Sequence, residues 1–235
     1  MADLYNTFRN ESVLNLFTDA SLKSRGNETD ICYGCVAVCC DTIVDSDYRV
    51  NTSKTSNNGE AQGILLALQF AIKYKNIYPV INIFSDSLIT IANIRDRYMN
   101  WKYHKDNYIN KSTGIVQNQS LFVHMMQLIC DYDLSVNFFH QKGHVDQRKF
   151  DDIKHATNVF ATSNRITSKI DYAFIRYISN YNNIVDITSR SILTRTDTIS
   201  TKYETPFVYI PTYDLLNQYK NKKLKEIGAN EQKRN

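Results

Sequence analysis

Residues 12–20 (SVLNLFTDA) are apolar and β-prone and end in an acid. Two similar runs follow, 31–40 and 42–51, with turn-forming residues at Thr42 and 45–47 near their junctions, so the three read as an antiparallel meander. The period then changes. Over 57–74, Ile64, Leu65, Leu68 and Ile72 share one helical face, and Asn57 or Asn58 is placed to cap its start. Residues 78–85 (YPVINIFS) read as a short buried strand, 86–101 as a helix, 102–113 as a polar connection and 117–131 as another helix. The fifth strand is 134–140, followed by a glycine-containing loop at 141–145. Beyond it, 151–164, 168–180 and 182–193 each read as helical. A threonine-rich linker (194–205), an apolar patch (207–210) and a lysine-rich tail (217–235), expected as a solvated helix or frayed end, complete the chain.

This order predicts an α/β fold. Its core is a mixed five-stranded sheet, an antiparallel meander plus two parallel strands reached by helical crossovers, flanked by helices. The expected division is one α/β domain over 1–196 and a linker with a basic tail over 197–235. The 235 residues, 43% hydrophobic, suffice for one good core with a small appendage. A net charge of +4 is compatible with a polyanionic partner without demonstrating one.

The five cysteines are an odd number, and Cys32 and Cys35 lie in a strand-like run with no second such pair, so neither a disulfide framework nor a metal knuckle is expected. No apolar run reaches membrane-spanning length, and the start (MADLYNTFRNES) lacks the plan of a signal peptide. The expectation is a cytoplasmic, monomeric protein with no membrane association and no small-molecule cofactor. Abundant tyrosine (16) with scarce glycine (7) and proline (3) points to an A+T-rich genome, a phage (hence host cytoplasm) or a low-G+C bacterium.

Four acids fall at corresponding structural points: Asp19 at the end of the first strand, Glu60 on the first turn of the first long helix, Asp86 at a strand–helix junction and Asp186 early in the last core helix. An acid in a first turn is ordinarily explained by the helix dipole. Asp19, following an apolar strand, is not. Four carboxylates brought together would raise one another's pKa, a penalty that a hard divalent cation removes.

FTDAS, SNNGEAQG, IFSDS, QKGHVD and NNIVDITSR resemble, in chain order, the five signature segments of ribonuclease H type 1, over roughly residues 12–193. The resemblance implies a ribonuclease H-like fold and an endonuclease that hydrolyses the RNA strand of an RNA–DNA hybrid. Catalysis would use two Mg2+ ions, with Mn2+ able to substitute, and leave 5′-phosphate and 3′-hydroxyl ends. It also implies metal ligation by Asp19 (bridging), Glu60, Asp86 and Asp186, and a proton-transfer or product-release role for His144. The chain departs from the family in the distance from His144 to Asp186, 42 residues. Residues 147–181 are therefore read as a helical insertion before the last core helix. Asp146, Asp151 and Asp152 are nearer acids, and Asn158 lies in a similar helical frame. Asn182 and Arg190, four residues either side of Asp186, match the family's final helix.

For the hybrid, the resemblance points to Asn57 and Asn58 near the catalytic glutamate, to Gln117, Asn118 and Gln119 at a helix start, and to Asn182. It also points to a basic protrusion carrying Arg95, Arg97, Trp101, Lys102 and Lys105. Helix capping would equally explain the amides, and a half-buried helix end would explain Trp101. The competing functions are a structure-specific DNA nuclease on the same fold and an inactive ribonuclease H-like binding module.

Overall fold

The computed structural model describes residues 4–25, 28–52, 55–195 and 209–232. In chain order the elements are α1 (Leu4–Phe8), β1 (Val13–Arg25), β2 (Glu28–Cys39), β3 (Thr42–Thr52), α2 (Ser56–Tyr74), β4 (Val80–Ser85) and α3 (Leu88–Arg95). A short helical turn (Arg97–Asn100) leads to β5 (Trp101–His104), β6 (Asn107–Asn110), β7 (Gly114–Ile115), α4 (Gln119–Asp131), β8 (Val136–His140), α5 (Phe150–Asn164), α6 (Tyr172–Arg195) and α7 (Tyr213–Gln232). The chain divides into two compact units, 1–91 with 135–204 and 92–134 with 205–235. The expected boundary near 196 therefore does not coincide with the division, because 92–134 groups with the C-terminal helix.

The first unit is built on a sheet of order β3-β2-β1-β4-β8. The meander β1–β2–β3 is antiparallel, while β1–β4 and β4–β8 are parallel. This is the predicted mixed sheet. Asn15, Asn82 and Asn137 are register partners on three adjacent parallel strands. The Asn82 amide donates to Asn15 (2.9 Å) and Asn137 to Asn82 (3.0 Å), while Asn15 donates to the Phe8 carbonyl (2.7 Å). A slip of one residue would break every bond in this ladder, so it fixes the register of the central strands.

β1 is covered on both faces, as its near-continuous apolar run requires. Phe17 stacks on Phe84 (4.9 Å) and on Tyr181 of α6 (5.2 Å), and this aromatic layer continues through Phe8, Phe160 and Phe174. On the other face, Thr18 and Ala20 meet α2 at its glycines. A Cβ at Gly59 would come within 2.6 Å of Ile31 and 3.0 Å of Ala20, so only glycine permits this approach. The five cysteines are free, with Cys32 and Cys35 buried on β2.

The second unit corrects several expectations. The helix expected over 86–101 ends at Arg95, and the polar stretch 102–113 forms the β5–β6 hairpin with β7. Its turn residues, Lys105 and Asp106, both have positive φ, which matches the twist of a two-residue hairpin. Trp101 is 1% exposed, stacked near Tyr108 (5.8 Å) and edge-on to Phe122 (5.5 Å), so it is core rather than a nucleic-acid contact. The lysine-rich tail is not frayed within the described residues. In α7, Leu216 and Tyr219 are buried, and the Tyr219 hydroxyl donates to the Ile94 carbonyl (2.8 Å). Of the predicted linker (194–205), residues 194 and 195 close α6 and the rest lie outside the described residues. Among the described residues, no helix is long and apolar enough to cross a membrane.

Candidate active site

The last parallel pair between β1 and β4 is Thr18↔Ser85. Asp19 and Asp86 are the next residues on the two strands, where their parallel pairing stops; Asp86 follows the end of β4, whereas Asp19, expected at the end of the first strand, lies in the middle of β1, which runs on to Arg25 paired with β2. Gly59 brings α2 against Ala20 at that point, and the adjacent Glu60, one turn into the helix rather than in its first turn, reaches the same place. One carboxylate oxygen from each of Asp19, Glu60 and Asp86 lies within 4.8 Å of the others. Segments 41 and 26 residues apart in sequence thus deliver three acids to one spot.

Asp19 is 4% exposed, and burial, then Asp86 and Asp186, push its pKa up to about 8, against the lowering effect of the Ala20 amide and Arg190. Burial, then Asp86 and Asp19, raise Glu60 well above the usual carboxylate range. Burial is also the main cause of the rise at Asp86, which His144 partly offsets. Glu60 Oε2 is buried with no hydrogen-bond partner among the described residues. Buried acceptors without donors are costly, and hard oxygen ligands grouped in this way fit Mg2+ or Mn2+. The residues therefore fit a divalent cation.

Asp186 is near this group but engaged differently. It lies in the middle of α6, a single 24-residue helix. The insertion expected to end at 181 before a new helix is corrected by this continuity. Arg190, one turn on, forms a two-pronged ion pair with Asp186 (Nε–Oδ1 2.7 Å), and Ser21 Oγ donates to Oδ1 at 3.3 Å. His144, on the exposed loop after β8, places Nδ1 3.5 Å from Asp186 Oδ2 and 3.4 Å from Arg190 Nη2. In the same loop, a Cβ at Gly143 would overlap the Asp86 carboxylate. The nearer acids are spent locally. Asp152 accepts from the Asp146 amide (2.6 Å) and pairs with Lys142 (3.1 Å), Asp146 pairs with Arg148 (3.1 Å), and Asp151 and Asn158 are exposed.

Among the expected substrate contacts, Asn57 and Asn58 occupy the first turn of α2, half-buried, while Thr55 is the capping position. Asn182 is 2% exposed and donates to Asp19 Oδ2 (3.5 Å), so it is buried behind the cluster rather than presented to a ligand. In the second unit, Asn118 takes the capping position of α4 in a left-handed conformation. Gln119 is used within the fold, accepting from the Tyr108 amide (2.9 Å) and donating to Asn107 (2.6 Å). Lys102 and Lys105 are exposed on the hairpin. Sequence reasoning missed Gln141, which donates to Asn182 Oδ1 (2.7 Å), and Ser21. Its only available signal for Gln141 was a polar residue just before the GHV segment.

The chain is similar in structure to the RNase H domain of prototype foamy virus (14% identity, 65% of this chain and 94% of that one, TM-score 0.48). It is also similar to the LC11 RNase H1, isolated from compost and solved with an RNA/DNA hybrid (13%, 62% and 97%, 0.43). A third is RNase H1 of the halophilic archaeon Halobacterium salinarum (16%, 66% and 99%, 0.39). No curated protein sequence matches. The RNase H family profile matches residues 11–157, more than half of the chain and inclusive of Asp19, Glu60, Asp86 and His144. On that match, the chain belongs to the RNase H family.

Proposed function

We propose that this protein is an endonuclease that hydrolyses the RNA strand of RNA–DNA hybrids at a divalent-metal centre held by Asp19, Glu60 and Asp86, with Asp186 contributing to a second position. The single observation that carries this reading is the convergence of three carboxylates from separate segments within 4.8 Å, with one buried oxygen lacking any donor. Stability alone does not account for it, since each acid raises the cost of ionising the others. Membership of the RNase H family and the ordered signature segments supply the substrate class.

Mg2+ or Mn2+ held there supplies a water of lowered pKa and positive charge at the scissile phosphate. Asp19 is the buried anchor, Glu60 and Asp86 are half-buried beside it, and Gly143 packs its backbone on Asp86 to fix the third carboxylate. The scissile P–O3′ bond breaks, the water oxygen remains on the 5′-phosphate, and the departing 3′-oxygen takes a proton. His144, exposed on its loop beside Asp186, is suited to move that proton. Arg190 holds Asp186 in a two-pronged ion pair beside the cluster.

The test is incubation of labelled hybrid, duplex DNA, duplex RNA and single strands with Mg2+ or Mn2+. Cleavage confined to the RNA strand of the hybrid, lost in Asp19→Asn and Glu60→Gln, is the expected result. Cleavage of DNA alone, in these substrates or in a branched DNA junction added to the set, would assign the site to a DNA nuclease. Binding of hybrid without cleavage under every metal would make the chain a binding module.

A further inference from the structure

We infer that Gln141 and Asn182 form a positioning relay that fixes the carboxylate of Asp19 for divalent-cation binding; this rests on reading the acidic cluster as a metal centre. Asp19 has one donor on each oxygen, the Ala20 amide on Oδ1 (2.7 Å) and Asn182 Nδ2 on Oδ2 (3.5 Å). Each oxygen keeps lone-pair capacity for a cation, and the plane of the carboxylate is held from both sides. The Asn182 amide serves this purpose in only one of its two orientations. Gln141 Nε2 donates to Asn182 Oδ1 at 2.7 Å and so selects that orientation. Turned over, Asn182 would set a donor against the Gln141 donor and an acceptor against the Asp19 carboxylate.

Gln141 is itself tied to the strand ends, its backbone amide donating to the Ser85 carbonyl (3.0 Å), one residue before Asp86. The relay therefore joins the carboxyl ends of β4 and β8 to the middle of β1 through α6. Gln141 is 1% exposed, and its Oε1 has no hydrogen-bond partner among the described residues. A buried acceptor left unmet is a cost to stability, and an apolar side chain of similar size would avoid it. Retaining an amide there at that cost is explained by the donor it gives to Asn182. Orienting residues behind metal ligands typically change affinity by about 10–100-fold when removed.

The experiment is Mn2+ titration of the full chain by calorimetry, with thermal unfolding in EDTA as the folding control. Gln141→Leu exchanges one unmet buried acceptor, Gln141 Oε1, for another, Asn182 Oδ1, and is expected to leave the EDTA melting temperature near that of wild type while weakening Mn2+ binding about 10-fold. Asn182→Ala is expected to weaken it at least as much, and Gln141→Leu added to Asn182→Ala should cost nothing further, because Gln141 acts through Asn182. Gln141→Met, of similar length and with no donor to offer Asn182, should weaken Mn2+ binding as Gln141→Leu does. These two variants decide the matter even if Asn182→Ala does not fold. Undiminished Mn2+ affinity in Gln141→Leu or Gln141→Met, or additive losses in the double variant, would overturn the relay alone. Failure of the wild-type chain to take up Mn2+ would overturn the metal-centre reading and the relay together.

Discussion

Replacing Asp19 with asparagine separates the two demands on this residue, stability and metal binding. In the metal-free chain Asp19 titrates near pH 8, whereas an unfolded aspartate titrates at 3.8, and burial followed by the charges of Asp86 and Asp186 is the cause. Between these values the folded chain keeps a proton that the unfolded chain has released. Folding stability therefore falls as pH rises through that window, and the loss is complete above about pH 8. Each pKa unit corresponds to about 1.4 kcal/mol, so the full shift would be worth about 6 kcal/mol for an isolated group; with the proton shared among Asp19, Glu60 and Asp86, roughly half of that or less, about 2–3 kcal/mol, is lost by replacing Asp19 alone.

Asp19→Asn removes this titration at nearly constant shape. In EDTA the variant should match wild type near pH 4 and exceed it at pH 8, with a melting temperature higher by roughly 4–12 °C, at about 2–4 °C per kcal/mol for a chain of this size. Mg2+ should raise the wild-type melting temperature more at pH 8 than at pH 5 and leave the variant nearly unmoved. Thermal unfolding in EDTA and in Mg2+ across this pH range measures both. A difference between the chains that is independent of pH would refute the reasoning, as would equal Mg2+ stabilisation of both.

Three further outcomes follow from the geometry. Gly143→Ala forces its methyl into the Asp86 carboxylate; displacement of about 1 Å should lower kcat about 100-fold, and single-turnover cleavage with a melting curve tests whether activity falls while the fold holds. Arg190→Gln removes the counter-ion of buried Asp186; because the guanidinium side is 57% exposed, screening limits the loss in EDTA to about 1–3 kcal/mol, and urea titration should show part of it restored by Mg2+. Asn82→Leu leaves the Asn15 and Asn137 amides without their shared partner and should cost about 1–3 kcal/mol, read by urea titration, with no change in Mn2+ affinity.

Most of the fold was legible because each core element carries one period. β1, β2 and β4 alternate or run apolar and α2 repeats its apolar face, while of the first three acids only Asp86 sits at the predicted junction; Asp19 lies mid-strand and Glu60 one turn into α2. The misreadings have a common physical cause. Trp101 and Tyr108 are far apart in type from their neighbours 102–107, so a hairpin with a buried aromatic face looked like a polar connection. The turn of that hairpin uses Lys105 and Asp106 at positive φ rather than a glycine, which hid it. In α6, Asn180, Asn182 and Asn183 resemble a helix start, yet Tyr177 and Tyr181 pack on Phe17 and carry the helix straight through. Gln119 and Asn182 were read as ligand contacts since amides do both jobs, and only burial distinguishes them. The relay through Gln141 depends on three residues distant in sequence, a relation that no local pattern contains.

The central claim is that Asp19, Glu60 and Asp86 exist to hold a divalent cation. Crystals soaked in Mn2+ and measured for anomalous scattering test this most directly. The account predicts a strong peak about 2.0–2.4 Å from a carboxylate oxygen of each of the three residues, as expected for hard oxygen ligands. Density with no peak between them, the three acids remaining protonated and bonded to one another, would contradict it.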